Sequence, residues 1–104
     1  MTRHDQHLYA GLIRLHILHH AAAEPIFGLG IIEELRRHGY DLSPGTLYPM
    51  LHGLERRGYL RSLGGRPGGG RARRLYAITR EGRAALKDAR KKVRELFGEL
   101  IEGK

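Results

Sequence analysis

Tyr40-Asp41-Leu42-Ser43-Pro44-Gly45-Thr46-Leu47-Tyr48-Pro49-Met50-Leu51-His52-Gly53-Leu54-Glu55-Arg56-Arg57-Gly58-Tyr59 is the stretch on which the fold turns. It reads as a short helix with marked ends. Ser43 suits the N-cap, where a hydroxyl can accept from a free first-turn N–H. Pro44 falls at the first helical position, where its missing N–H costs nothing. Leu47, Met50, Leu51 and Leu54 recur at helical spacing and form one apolar face. Arg56 and Arg57 put cations at the carboxyl end, and Gly58 can turn left-handed there. Thr46, Tyr48, His52 and Arg56 read as the opposite, hydrogen-bonding front. A helix with an apolar back, a polar front and small residues at its start is what a DNA major groove accepts. Pro49 breaks the local rules: inside a helix a proline removes a ladder bond and crowds the carbonyl four residues back, at about 3 kcal/mol. Gly45 at the crowded position softens this, and such a break marks a candidate functional site.

Working outward toward the N-terminus, Tyr40-Asp41-Leu42 is a tight link to a helix over residues 28–38. That helix turns Ile31, Ile32 and Leu35 inward, and Gly39 is its stop. Two short helices joined this way form a helix-turn-helix pair. Ile26-Phe27-Gly28 reads as a turn after Glu24-Pro25, because the residue before a proline is driven out of the α region. Residues 8–23 form a first helix that is apolar around most of its circumference. It must bury more than one side, the second against another subunit. Residues 1–6 read as a flexible arm.

Toward the C-terminus, Tyr59–Leu63 and Leu75–Ile78 have strand character. They flank Gly-Gly-Arg-Pro-Gly-Gly-Gly (64–70) and Arg71-Ala72-Arg73-Arg74, which makes a β-hairpin with a basic, glycine-rich tip. Thr79 caps a last helix of about twenty residues whose stripe includes Leu86, Val93, Phe97 and Leu100. The expected fold class is therefore mainly α with a small β-hairpin. The expected organisation is an arm (1–6), a DNA-binding unit (7–79) and a C-terminal dimerisation helix (80–104).

The 104 residues carry a net charge of +8, and residues 43–80 account for nearly all of it, with eight Lys/Arg against Glu55 alone. That concentration on the capped helix and the hairpin tip points to a polyanion. There is no cysteine, which excludes disulfides and thiolate metal sites. No apolar run approaches the roughly 20 residues that span a bilayer, and Met1–His7 lacks a signal-peptide core, so a cytoplasmic protein is expected. No activated nucleophile and no glycine-rich loop between strand and helix suggests an enzyme. His16, His19 and His20 could chelate a metal at one-turn spacing, but they are read as the fringe of a helix interface, and no metal or cofactor is assigned.

The motifs Gly45-Thr46-Leu47-Tyr48-Pro49-Met50-Leu51, Leu54-Glu55-Arg56-Arg57-Gly58-Tyr59-Leu60 and Tyr76-Ala77-Ile78-Thr79-Arg80-Glu81-Gly82 resemble the PadR family of transcriptional regulators, in its short subfamily. The resemblance runs from Leu8 to about Leu100. It implies a winged helix-turn-helix plus dimerisation helix, and a homodimer on double-stranded DNA that acts as a repressor at a pseudo-palindromic operator. Residue by residue it places Ser43, Thr46 and Tyr48 on the reading helix and Arg66, Arg71 and Arg73 in the wing; His52, on the same front, is added as a candidate contact. Leu8, Leu12, Leu86, Val93, Phe97 and Leu100 fall at the subunit interface. Tyr48 is taken as a phosphate contact because Leu47, Met50 and Leu51 already supply a buried face; His52 is equally a solvated histidine. Release by a small aromatic effector between the dimer's helices, with Tyr9 and Phe97 as lining, is a further expectation. A histidine-based metal-responsive regulator and a constitutive DNA-binding module stay open as alternatives.

Overall fold

The computed structural model describes residues 3–64 and 74–104. Its elements are α1 (Arg3–Leu8), α2 (Ala10–Ala23), β1 (Ile26–Phe27), α3 (Gly28–Arg37), α4 (Pro44–Arg56), β2 (Leu60–Gly64), β3 (Leu75–Ile78) and α5 (Arg80–Leu100). The chain is thus mainly helical with one small antiparallel sheet of order β1-β3-β2. Among the described residues no helix is long and apolar enough to cross a membrane.

Two glycines end the helices of the central pair. At Gly39 (φ 91°) and Gly58 (φ 82°) the backbone enters the left-handed region that side chains resist. Each reversal is closed by paired bonds: Gly39 N donates to Arg36 O and Tyr40 N to Leu35 O, while Gly58 N donates to Glu55 O and Tyr59 N to Leu54 O. These Schellman ends satisfy carbonyls that a helix terminus otherwise leaves open.

The core gathers Ile13, Ile17 and Leu18 of α2, Ile31 and Leu35 of α3, Leu47, Leu51 and Leu54 of α4, and Leu60 and Tyr76 of the sheet. Thr79 joins sheet and C-terminal helix: its hydroxyl accepts from Gly82 N at 2.9 Å, donates to Gly58 O, and its N–H donates to Tyr59 O at 3.0 Å. The α5 cap therefore ties the end of α4 to the start of α5. Arg83 of α5 adds a bond to Ala22 O at the end of α2, at 3.2 Å.

Four expectations change. Ile26-Phe27 is a strand, not a turn, because Ile26 pairs with Tyr76 and Phe27 with Leu75. The chain is helical from Arg3, so the expected arm at 1–6 is largely the helix α1. The first long helix begins at Ala10, after a break at Tyr9, not at Leu8. Leu86, expected between subunits, is only 7% exposed and belongs to the protomer's own core, since the first turns of α5 pack on α2. Beyond Leu86, α5 leaves the body of the protein. Val93, Leu96, Phe97, Leu100 and Ile101 are 44–72% exposed, and Leu8 and Leu12 are exposed as well.

Candidate nucleic-acid interface

On α4 the apolar face buries Leu47, Tyr48, Met50, Leu51 and Leu54. Ser43, Gly45, Pro49, Arg56 and Arg57 are exposed, with Thr46, His52 and Gly53 half-buried. The helix runs unbroken through Pro49. The proline and the glycines four residues to either side share one line along the helix front. A Cβ at Gly53 would meet nothing within 4 Å, and at Gly45 only the Ser43 hydroxyl at 3.8 Å. The front is therefore a low ridge with open space above its backbone, bordered by Thr46 on one side and His52 and Arg56 on the other.

Tyr48 does not belong to that front. It is 7% exposed, and its ring packs over the start of α3 so closely that a Cβ at Gly28 would fall 2.3 Å from its hydroxyl. The reason lies in helix geometry: Thr46 and Tyr48, two residues apart, project about 160° away from each other. Leu47 and Leu51 flank Tyr48 on the buried side, so a phosphate contact by the exposed ring is corrected to a core role. Ser43 also departs from expectation. It sits at the N-cap of α4 but makes no capping bond; its hydroxyl donates instead to Thr46 Oγ1 at 3.3 Å. The two small hydroxyls form one polar edge at the positive end of the helix.

Glu55 accepts from Ser62 N at 3.2 Å and so anchors β2 to α4. β2 and β3 then run out as the hairpin, from Leu60↔Ile78 to Gly64↔Leu75, with an irregularity between Ser62 and Gly64. Arg61 is exposed on β2, and Arg74 is exposed just before β3. The expected wing contacts Arg66, Arg71 and Arg73 lie outside the described residues. Beside α4, a cleft of about 640 Å³ is lined by Arg14 of α2, Pro49, Gly53, Arg56 and Arg57. Gly45, Pro49 and Gly53 as one continuous surface, and Arg14 as its neighbour, add to the residues expected there. The i, i+4, i+8 spacing of small residues carried the first; nothing local carried the second.

A second surface lies on the far side of α2. A groove of about 740 Å³ runs between α2 and α5, lined by Leu12, Leu15, His19, Leu86, Val93 and Phe97 among others. Tyr9 does not line it; its ring meets Tyr40 edge-on at 6.2 Å.

The comparisons with known proteins agree with this layout. The chain is 53% identical over 91 residues to the transcriptional regulator Rv3488 of Mycobacterium tuberculosis, covering 88% of this chain and 84% of that one. The crystal structure of a PadR family transcriptional regulator from Eggerthella lenta superposes with a TM-score of 0.76 at 30% identity, over 94% of this chain and 88% of that one. A PadR-like transcription factor of Bacteroides fragilis shares the fold with a TM-score of 0.79 at 22% identity, over 99% of this chain and 100% of that one. Residues 17–88 match the family described as Transcriptional regulator PadR-like, and the chain belongs to that family.

Proposed function

We propose that the protein is a homodimeric repressor that reads a pseudo-palindromic operator through two copies of α4. The observation that carries the reading is the division of α4 itself. Its back is locked into the core by Tyr48, Leu47 and Leu51, while Ser43, Thr46, Pro49 and Arg56 face solvent. A major groove admits a helix, and a ridge of glycine and proline lets the base edges come close to its backbone. Thr46 and Ser43 supply hydroxyls for base or phosphate contacts at the positive end of the helix dipole. The arginines at 14, 56, 57 and 61, with those of the wing at 66, 71 and 73, line the path of the phosphates. They supply the non-specific part of the affinity.

The dimer is supported by the apolar stripe that α5 carries away from the body. Monomers seldom expose a contiguous apolar patch of this kind. Leu8, Leu12, Val93, Phe97 and Leu100 are the residues that a second copy covers. Two α4 helices related by a two-fold axis meet half-sites about one helical turn apart. Release by a small planar effector is the finer reading of the α2–α5 groove, which offers Phe97 and Val93 to an aromatic ring; a thermal-shift screen of planar aromatics tests it. Fluorescence anisotropy on labelled duplex tests the main reading. Affinity falls with salt by about 0.9 log units per log unit of salt for each phosphate neutralised, and a salt-independent affinity contradicts it.

A further inference from the structure

Beside the α2–α5 groove, which His16 helps to line, three imidazoles converge where α2 passes the end of α3. His16 and His20 are one turn apart on α2, and His38 is the C-cap residue of α3. One ring nitrogen from each lies within 4.8 Å of the other two. The rings of His16 and His38 are stacked, with centroids 4.7 Å apart, and those of His20 and His38 are 5.6 Å apart. Glu34, one turn before His38 on the same helix, brings Oε2 to 3.9 Å from His20 Nε2. That nitrogen is buried and finds no hydrogen-bond partner among the described residues. A buried polar atom left unmet is costly, and this one lies beside a carboxylate in a ring that neighbours two other imidazoles, a setting that calls for a ligand.

We propose that His16, His20 and His38 bind one divalent transition-metal ion of the zinc class, with Glu34 as the fourth ligand. Two i, i+4 pairs on two packed helices, His16/His20 and Glu34/His38, face one another: three imidazole nitrogens converge, and Glu34 stands beside His20 with its second oxygen paired to Arg37. Three imidazoles and one carboxylate form the borderline donor set that takes Zn²⁺, Co²⁺ or Ni²⁺ in preference to Mg²⁺ or Ca²⁺. Metal–nitrogen bonds of about 2.0–2.1 Å in a tetrahedron place the nitrogens about 3.4 Å apart. The described separation closes to that by side-chain rotation, chiefly of exposed His38 at its helix end. Burial, and then the neighbouring imidazoles, hold His16 below its usual range. His20 is lowered by burial against the opposing pull of Glu34. Burial therefore favours the neutral form of both rings, the form that coordinates. Such an ion staples α2, which carries Leu12 of the dimer stripe, to α3, which leads through Gly39–Leu42 into α4. His19 is not among the three nitrogens; His38, distant in sequence, takes its place.

The full chain without an affinity tag, stripped with chelator, is titrated with Zn²⁺ by calorimetry and with Co²⁺ by visible absorption. The wild type and His7→Ala, which removes an exposed histidine elsewhere, bind one ion per protomer and give the intense Co²⁺ bands of a tetrahedral site. His38→Ala, a change at an exposed helix end, keeps the far-UV spectrum and weakens binding by more than about tenfold; His20→Ala does the same. Absence of a saturable site in the wild type overturns the proposal, as does an octahedral Co²⁺ spectrum or a His38→Ala affinity equal to wild type. None of these readouts involves DNA, so the site stands or falls apart from the operator-binding reading.

Discussion

The junction where α4, the sheet and α5 meet depends on the lack of a side chain at Gly82. A Cβ there would sit 2.2 Å from the Tyr59 carbonyl oxygen and 2.7 Å from Ile78 Cγ1. Ordinary carbon–oxygen contacts are about 3.3 Å or longer, so the helix and the carbonyl must part by about 1 Å. The carbonyl is not free to move, since it accepts from Thr79 N at 3.0 Å. Nor is the helix, since Gly82 N donates to Thr79 Oγ1. Overpacking of this kind costs about 1–3 kcal/mol, with the weakened bonds adding to it. The better helix propensity of alanine returns at most about 1 kcal/mol. Gly82→Ala should therefore lose about 1–3 kcal/mol, a drop in Tm on the order of 10 °C for a domain of this size. Gly53→Ala is the internal control: it is also helical, but its new Cβ meets nothing within 4 Å, so it should gain about 0.5–1 kcal/mol. Thermal unfolding followed by circular dichroism at one fixed protein concentration reads both. If Gly82→Ala melts with or above the wild type, the close approach at Tyr59 does not govern this junction.

The other predictions concern DNA, assembly and pH. Thr46→Ala should weaken operator binding more than binding to random duplex, whereas Arg71→Ala should weaken both alike; equal effects of both variants on both DNAs, by anisotropy, contradict that division. Tyr48→Phe should leave operator affinity within about twofold, because the ring lies under the helix and not on its front; a loss of tenfold would put its hydroxyl on the DNA. Phe97→Asp should shift the dimer toward monomer by about 2 kcal/mol or more in sedimentation experiments, and an unchanged dimer would remove α5 from the interface. In the presence of chelator, stability should fall as pH drops below about 6.5, since His16 and His20 have native pKa values below that unfolded-state value. The unfolded chain then binds protons that the native chain refuses, with His19, His38 and Glu34 facing the two rings. Urea midpoints at about pH 7 and about pH 5.5 check the sign, and a midpoint that rises on acidification refutes it.

Where local chemistry dictates structure, the residues announced it. Pro44 and the Gly58 terminus bracket α4, Gly39 ends α3, and Thr79 caps α5 with the bond its motif implies. Helix starts and stops are properties of a few adjacent residues, so they are readable without the rest of the chain. β1 was not readable, because a two-residue strand exists only through its pairing with Tyr76 and Leu75, some fifty residues away. The same holds for His38, which reaches His16 and His20 only once α2 and α3 have packed. Tyr48 is a different case. Its angle around the helix from Thr46 follows from the numbering alone; that Leu47, Met50 and Leu51 already supply a buried face does not keep a fourth side chain out of it. Of the candidate interface, Ser43, Thr46 and His52 lie on the accessible side of α4 as the residues suggested. The i, i+4, i+8 spacing of Gly45, Pro49 and Gly53 is legible as well, but the open space above their backbone is a property of the folded front.

Selection of bound sequences from a random duplex pool at near-physiological salt tests the dimeric reader most directly. The account predicts an enriched motif with two inverted half-sites whose centres are about 10 base pairs apart. An enriched single half-site with no inverted partner, or no enrichment over the starting pool, would contradict it.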